Sequence, residues 1–196
     1  KNIRIGHAQD EKHATGCSVI ICPKGAVCGV DVRGGGPASR ETELLNPLMS
    51  NKGIHGLLLG GGSAYGLDAA SGIMQYLEEH KIGLKVGDQL VPIVVGSCIY
   101  DLGLEDGSVR PDKNMGYLAC VDSEANIERN GNVGGGMGAT VGKLHGTNTS
   151  MKSGLGCYAM QVGRLQVGAI VIVNAIGDVY EMDSKNQLAG LLNKNK

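Results

Sequence analysis

The sequence predicts an α+β domain, a sheet layered with helices, on three observations. Apolar strand-like runs fill the first and last thirds of the chain and helical patterns lie between them, as expected when helices pack against an antiparallel or mixed sheet. The segment "SAYGLDAASGIMQYLEEHKIG", residues 63–83, sets Leu67, Ala70, Met74 and Leu77 at spacings of three and four, an amphipathic helical stripe. Composition is the third: with 33 glycines, no Phe or Trp and 42% hydrophobic residues, the core must be built from Val, Ile, Leu, Ala and Met. Such small and β-branched side chains pack closely on sheets. The glycines follow no G-X-Y period, which excludes a collagen-like chain. A length of 196 residues suits one domain with a sizeable core, so a single domain spanning 1–196 is expected.

The start "KNIRIGHAQDEKHATG" is polar and has no signal-peptide core, although a targeting segment ahead of residue 1 stays open. "CSVIICPKGAVCGVDVRGG" reads as two strands, 17–22 and 26–32, joined in a hairpin across Pro23, Lys24 and Gly25, residues suited to a turn. "RETELLNPLM" reads as a short helix with Leu44, Leu45 and Leu48 on one side, and "GIHGLLLGGG" as a buried strand ending on glycines. The 63–83 helix follows, with Ser63 as its N-cap and Gly83 as its stop. "LVPIVVGSCIYDL" reads as a strand, and "DKNMGYLACVDSEA" as a helix feeding the glycine-rich stretch 129–148. "GLGCYAMQVGRLQVGAIVIVNAIGDVYEMD" reads as three strands broken at Gly163-Arg164 and Ala175-Ile176-Gly177. The close, "SKNQLAGLLNKNK", is polar and unanchored, as the end of a truncated or processed chain would be.

Charge and composition remove several classes of function. Eighteen basic and nineteen acidic residues leave a net charge of −1 with no basic stripe, so nucleic acid is not an expected partner. The longest apolar run, "VGAIVIVNAIG", is too short to span a bilayer, and a soluble chain is expected. Cysteines at 17, 22, 28, 98, 120 and 157 show no CxxC and sit mostly in apolar stretches. They are expected to be buried free thiols of a cytoplasmic protein rather than disulfides or metal ligands.

The stretch "RNGNVGGGMGATVGKLHGTN", 129–148, invites a phosphate-binding reading and fails it. A Walker loop needs glycine five residues before the Gly-Lys pair and a hydroxyl after it, whereas Met137 and Leu144 stand there. Gly134, Gly136 and Ala139 fit a G-x-G-x-x-A fingerprint, but no acidic residue follows about 20 positions on to hold a ribose. No nucleophile elbow exists, because Tyr65 occupies the last glycine position of "GGGSAYG". The five histidines lack metal-ligand spacing, and His145 reads as a surface hydrogen-bonder. No metal or cofactor is expected. Three polar residues remain at strand ends and loops: Tyr100, Lys143 and Asn174. Each has a plain structural alternative, as core-edge aromatic, solvated loop charge and turn former respectively.

Taken together, "GHAQDEKHATGCSVII", "GAVCGVDVRGGGPASRETELL", "GIHGLLLGGGSAYGLDAASGIMQYLEE", "VPIVVGSCIYDL", "GNVGGGMGATVGK" and "VGAIVIVNAIGDVY" resemble the P1 peptidase family. That family includes the L-aminopeptidase/D-amidase-esterase, the β-peptidyl aminopeptidases and the nylon-oligomer hydrolase. The resemblance implies a four-layer αββα sandwich like that of N-terminal-nucleophile hydrolases. It implies a precursor that cleaves its own backbone, and a Ser or Thr nucleophile that becomes the first residue of a second chain. This sequence would then be the larger N-terminal chain, partnered by that second chain in a homo-oligomer of pairs and acting on a small peptide or amide.

Residue by residue, the family's tyrosine falls on Tyr100, its lysine on Lys143 and its asparagine on Asn174. The asparagine amide would stabilise the developing oxyanion, with Tyr100 helping and Lys143 orienting the nucleophile or its amine. Gly134, Gly135, Gly136 and Tyr65 are expected to line the substrate site. Cys98 stands where the aminopeptidase branch carries a carboxylate for the substrate's ammonium, a departure that argues against strict aminopeptidase activity. Two other functions stay open: an acyltransferase of the ornithine acetyltransferase type, and a non-catalytic ligand-binding relative.

Overall fold

The computed structural model describes residues 3–51 and 53–192. Its main sheet has five strands in the order β1-β2-β4-β7-β3, formed by β1 (Arg4–Asp10), β2 (Thr15–Ala26), β3 (Ala38–Arg40), β4 (Ile54–Gly60) and, after the helix α1 (Ala69–Glu79) and the small hairpin β5 (Leu84–Val86) and β6 (Gln89–Val91), β7 (Val94–Cys98). A second helix, α2 (Lys113–Asp122), follows. Then come β8 (Thr140–Val141), β9 (Met151–Lys152), β10 (Leu155–Val162), β11 (Leu165–Ile172), β12 (Val179–Tyr180) and β13 (Gln187–Ala189), paired two by two. All pairs in the main sheet are antiparallel except β4 with β7, and the α+β expectation holds.

Period-two alternation decides what each face of this sheet carries. Val19, Ile21, Leu58 and Val94 point to one side, where Ala69, Ala70, Ile73, Tyr76 and Leu77 of α1 complete a fully excluded core with Ala119 and Cys120 of α2. The helices touch each other through glycine: a Cβ at Gly72 would overlap the Lys113 carbonyl oxygen, and one at Gly116 the Ala69 carbonyl oxygen. The core stripe therefore runs through Ala69, Ala70, Ile73, Tyr76 and Leu77, while Leu67 and Met74 of the expected stripe are only half-buried. On the opposite face Ser18 and Leu59 meet a single 3-10 turn, Gly134–Gly136.

Several expected elements are corrected. The hairpin across Pro23 does not form, because β2 runs through Pro23 to Ala26 and pairs with β1 on one side and β4 on the other. Its register shifts between Ile21 and Ala26, and that irregularity absorbs Pro23 and the positive φ of Gly25 at a place where no ladder bond needs the proline N–H. Residues 27–37 are then irregular, and the hairpin partner of β2 is β1, which polar residues concealed. The helix expected over 40–49 shrinks to a 3-10 turn, Glu43–Leu45, because Pro47 holds Asn46 extended at ψ 132 and stops propagation. Ser63 makes no capping bond and sits at φ 53; a 3-10 turn, Ser63–Asp68, precedes α1.

The strand expected over 90–102 divides into β6 and β7 around Pro92. The hairpin at Gly163-Arg164 joins β10 to β11 as expected, whereas the third strand reduces to the two residues of β12. The segment read as unanchored is held: β13 pairs with β12, Leu191 N–H donates to Asp178 Oδ1 at 2.8 Å and Leu192 N–H to the Thr149 carbonyl at 2.8 Å. Residues 193–196 of that stretch lie outside the described residues. All six cysteines are free; Cys17, Cys22 and Cys120 are buried and the other three partly so. Burial pushes the Cys98 and Cys120 thiols up to about 12, so neither is a ready nucleophile. Among the described residues, no helix is long and apolar enough to cross a membrane and no group of His, Cys, Asp and Glu is arranged to hold a metal ion.

Candidate functional site

Three segments that follow strands meet, one each after β7, β8 and β11. After β7 the chain stays anchored, because Ile99 N–H donates to the Gly60 carbonyl at 2.7 Å and the Ile99 carbonyl accepts from Ser63 N–H at 2.9 Å. Tyr100 follows, 62% exposed, so its ring is free to meet another molecule. Asn174 lies just beyond β11. Lys143 lies just beyond β8, on a segment paired with residues 176 and 177 through Lys143 N–H to the Ile176 carbonyl at 2.7 Å and Gly142 N–H to the Gly177 carbonyl at 2.9 Å. Gly142 has φ 71, and a Cβ there would overlap Gly190 and Leu191, so only glycine carries the chain into this position.

The side chains then lock together. Lys143 Nζ donates to Asn174 Oδ1 at 2.6 Å and to the Thr140 carbonyl at 2.9 Å. Thr140 N–H donates to the same Oδ1 at 3.1 Å, and Asn174 Nδ2 donates to the Tyr100 carbonyl at 3.0 Å. The partners of Asn174 are 31, 34 and 74 positions away, so its bonds are not those of a local turn. Two cationic or amide donors on Oδ1 and a carbonyl on Nδ2 fix the amide's orientation and, among the described residues, leave one Nδ2 proton uncommitted. The ammonium likewise keeps one proton beyond its two bonds. Burial lowers the Lys143 pKa from the ordinary lysine value. A small cavity of about 40 Å³, on the scale of a single water, opens beside the cluster and is lined by Tyr100, Asp101, Gly138, Thr140, Lys143 and Thr147 among others.

Asn174 reaches that cavity only through its partners Lys143, Thr140 and Tyr100, which line it, and Gly134, Gly135, Gly136 and Tyr65 are likewise not among the lining residues. The glycine amides are committed elsewhere: Gly134 N–H to Gln9 Oε1 at 2.8 Å, Gly135 N–H to Ser18 Oγ at 3.0 Å and Gly136 N–H to the Val133 carbonyl at 2.9 Å. Their lack of side chains serves packing, since a Cβ at Gly135 would overlap the Leu59 carbonyl and one at Gly136 the Leu155 amide. Of the glycines in that stretch, Gly138 lines the cavity. Tyr65 lies under Arg110, whose guanidinium carbon is 3.7 Å from the ring centre. His145 is exposed. Cys98 packs beside Gly60 and Gly66, where added Cβ atoms would lie 2.9 and 3.3 Å from its sulfur.

Sequence reasoning overlooked Asp101. It is 8% exposed, accepts Gly62 N–H on Oδ1 at 2.7 Å and Thr15 Oγ1–H on Oδ2 at 2.9 Å, and burial pushes its carboxyl upward. Its place directly after Tyr100 was the one signal that sequence offered. The buried pair His7 and Ser18 was also missed: His7 Nδ1 lies 2.8 Å from Ser18 Oγ. The same hydroxyl accepts from Gly135 N–H at 3.0 Å, which ties the pair to the glycine turn. Ser18 is fully excluded from solvent, so this pair supports the glycine turn and meets no substrate.

A profile of peptidase family S58 matches residues 1–195. The chain is 42% identical over 176 residues to an uncharacterized aminopeptidase of Mycobacterium leprae, covering 86% of this chain and 47% of that protein. It is 30% identical over 179 residues to a 6-aminohexanoate-oligomer endohydrolase of Kocuria sp., covering 91% of this chain and 48% of the other. The chain thus spans about half the length of the curated relatives it matches. Among solved structures, the L-aminopeptidase D-Ala-esterase/amidase of Ochrobactrum anthropi, described as a variant of the Ntn hydrolase fold, superposes with a TM-score of 0.65 at 17% identity, covering 89% of this chain and 51% of that one. A Burkholderia sp. beta-aminopeptidase superposes with a TM-score of 0.63 at 20% identity, covering 89% and 50%. At those identities the superpositions show the fold alone.

Proposed function

We propose, from the premise that this chain belongs to peptidase family S58, that it is the larger part of a self-processed amide hydrolase whose nucleophile is the N-terminal Ser or Thr of a second chain. The observation that carries the proposal is the oriented amide of Asn174, held by Lys143, Thr140 and the Tyr100 carbonyl beside a small cavity. Amide cleavage places negative charge on the former carbonyl oxygen, and a donor fixed beforehand stabilises that charge without reorganising. The uncommitted Nδ2 proton of Asn174 supplies it. An α-amine with a pKa of about 8 serves as base for the hydroxyl of its own residue, so the reaction needs no histidine. Lys143, with its pKa lowered by burial, presents its third proton to the nucleophile or its amine. The exposed ring of Tyr100 borders the same opening.

The substrates proposed are short peptides, amino acid amides and linear polyamide oligomers, the span suggested by relatives named as an aminopeptidase and a 6-aminohexanoate-oligomer endohydrolase. Cys98 offers a neutral thiol where a carboxylate would hold a substrate ammonium, so cleavage is expected to extend beyond N-terminal residues. Six free thiols fit a reducing, cytoplasmic setting, and the paired chains are proposed to assemble as a homo-oligomer, which light scattering measures. The functional test is a panel of N-terminal peptides, β-amino acid peptides, simple amino acid amides and polyamide oligomers presented to the purified, processed protein. Release of amine from at least one class is expected; no cleavage of any class overturns the proposal.

A further inference from the structure

Resting on that hydrolase reading, we infer that Asp101 is a positioning residue: its buried carboxylate fixes the Tyr100 carbonyl, and through it the Asn174 amide. The carboxylate joins three segments that come from distant parts of the sequence. Oδ2 accepts from the Thr15 hydroxyl at the start of β2, Oδ1 accepts from the Gly62 amide just past β4, and the carboxylate's own main chain carries Tyr100. Room for it is made by missing side chains, since a Cβ at Gly61 or at Gly138 would overlap Oδ2. A buried carboxylate is costly unless it is hydrogen-bonded, and charge-assisted bonds from a hydroxyl and an amide are among the stronger partners available. Lys152 adds an opposite charge nearby.

The geometry explains why this knot bears on the site. Each residue from 99 to 101 is tied: Ile99 by Gly60 and Ser63, Asp101 by its side chain and by Leu104 N–H on its carbonyl at 3.2 Å. Tyr100 lies between them, and its carbonyl has one partner within the site, Asn174 Nδ2 at 3.0 Å. Lys143 and Thr140 hold the other end of the same amide. A shift of the 99–101 segment therefore turns the amide about its oxygen and swings the uncommitted proton off its target. Misplacement of a catalytic donor by about 1 Å costs on the order of 10²-fold in rate.

The test compares Asp101→Ala and Asp101→Asn in the full-length gene product. Asparagine keeps an acceptor for Gly62 N–H and offers an NH₂ to the Thr15 hydroxyl, so this isostere is expected to fold. On folded, cleaved material, kcat should fall by about 10- to 100-fold for alanine and by about 2- to 10-fold for asparagine, which keeps both partners but loses the charge that strengthens those bonds. KM should stay within about twofold, since uniform binding is untouched. Deuterium exchange should quicken over residues 99–104 and 62–66 and not across the helices. An Asp101→Ala enzyme with the unmutated kcat overturns the inference, as does a kcat loss with no change of exchange at 99–104. If alanine prevents folding, the asparagine variant decides: lowered kcat with an unmutated melting temperature supports the inference and unmutated kcat overturns it. If the unmutated protein cleaves no amide, the hydrolase reading fails by itself. Exchange at 99–104 then still decides whether Asp101 holds the segment.

Discussion

Replacing Asn174 with alanine removes one acceptor and one donor from the centre of the candidate site. Oδ1 leaves both the Lys143 ammonium, 2.6 Å away, and the Thr140 amide, 3.1 Å away, while Nδ2 leaves the Tyr100 carbonyl at 3.0 Å. Of its two bonds among the described residues, Lys143 keeps that to the Thr140 carbonyl at 2.9 Å. The site is half-buried, so water takes over part of these bonds, and the loss of stability should be about 1–3 kcal/mol. Turnover should fall much further, by about 10²–10³, as it does when one oxyanion donor is removed. Because the same donor would serve self-cleavage, processing is checked first on a gel and turnover is measured only on cleaved material, alongside a thermal melt. Asn174→Asp sharpens the comparison: it keeps an acceptor for Lys143, loses the donor, and should be as slow as alanine but more stable. A processed, folded Asn174→Ala enzyme with the unmutated turnover would refute the oxyanion assignment.

Two further predictions concern the scaffold. Burial holds the His7 imidazole below its ordinary 6.5, with Asp122 opposing and Arg129 reinforcing that direction. The unfolded chain therefore binds more protons, so this contribution is full above about pH 6.5 and is lost as pH falls below it toward and through the folded value. His7→Gln should flatten the acid side of the stability curve, measured by urea midpoints from about pH 7.5 to pH 5; an unchanged slope contradicts it. Ile73, fully buried between α1 and the sheet, should cost about 2–5 kcal/mol on truncation to alanine. A denaturation midpoint within error of the unmutated protein would show that the helix layer does not bear on this core.

Local pattern made some of the fold legible and hid the rest. The helix about Ile73 and the turn at Gly163-Arg164 were readable because period and turn chemistry agree with tertiary packing there. β1 escaped because "RIGHAQD" faces α2 with a glycine, Gly6, whose added Cβ would overlap the Ala119 carbonyl; close approach rather than apolar bulk holds it. The Pro23 hairpin failed because a turn-like triplet also fits a β-bulge, and only the pairing of β2 with β4 distinguishes the two. At the site, Tyr100, Lys143 and Asn174 stood out as polar residues at strand ends, but their meeting depends on contacts across 31 and 74 positions that no local window contains. The contacts of Asp101 and Ser18 span 86 and 117 positions, so beyond the place of Asp101 next to Tyr100 nothing local marked them. Glycines at 61, 134 and 138 make the space they occupy, and an absent side chain carries no signal of what fills it.

Intact-mass spectrometry of the purified gene product tests the central claim most directly, because self-processing leaves two chains whose masses sum to that of the precursor plus one water. Two fragments are expected, the smaller beginning with Ser or Thr, with amide cleavage that appears as the precursor mass disappears. A single full-length species that cleaves amides at full rate would contradict it.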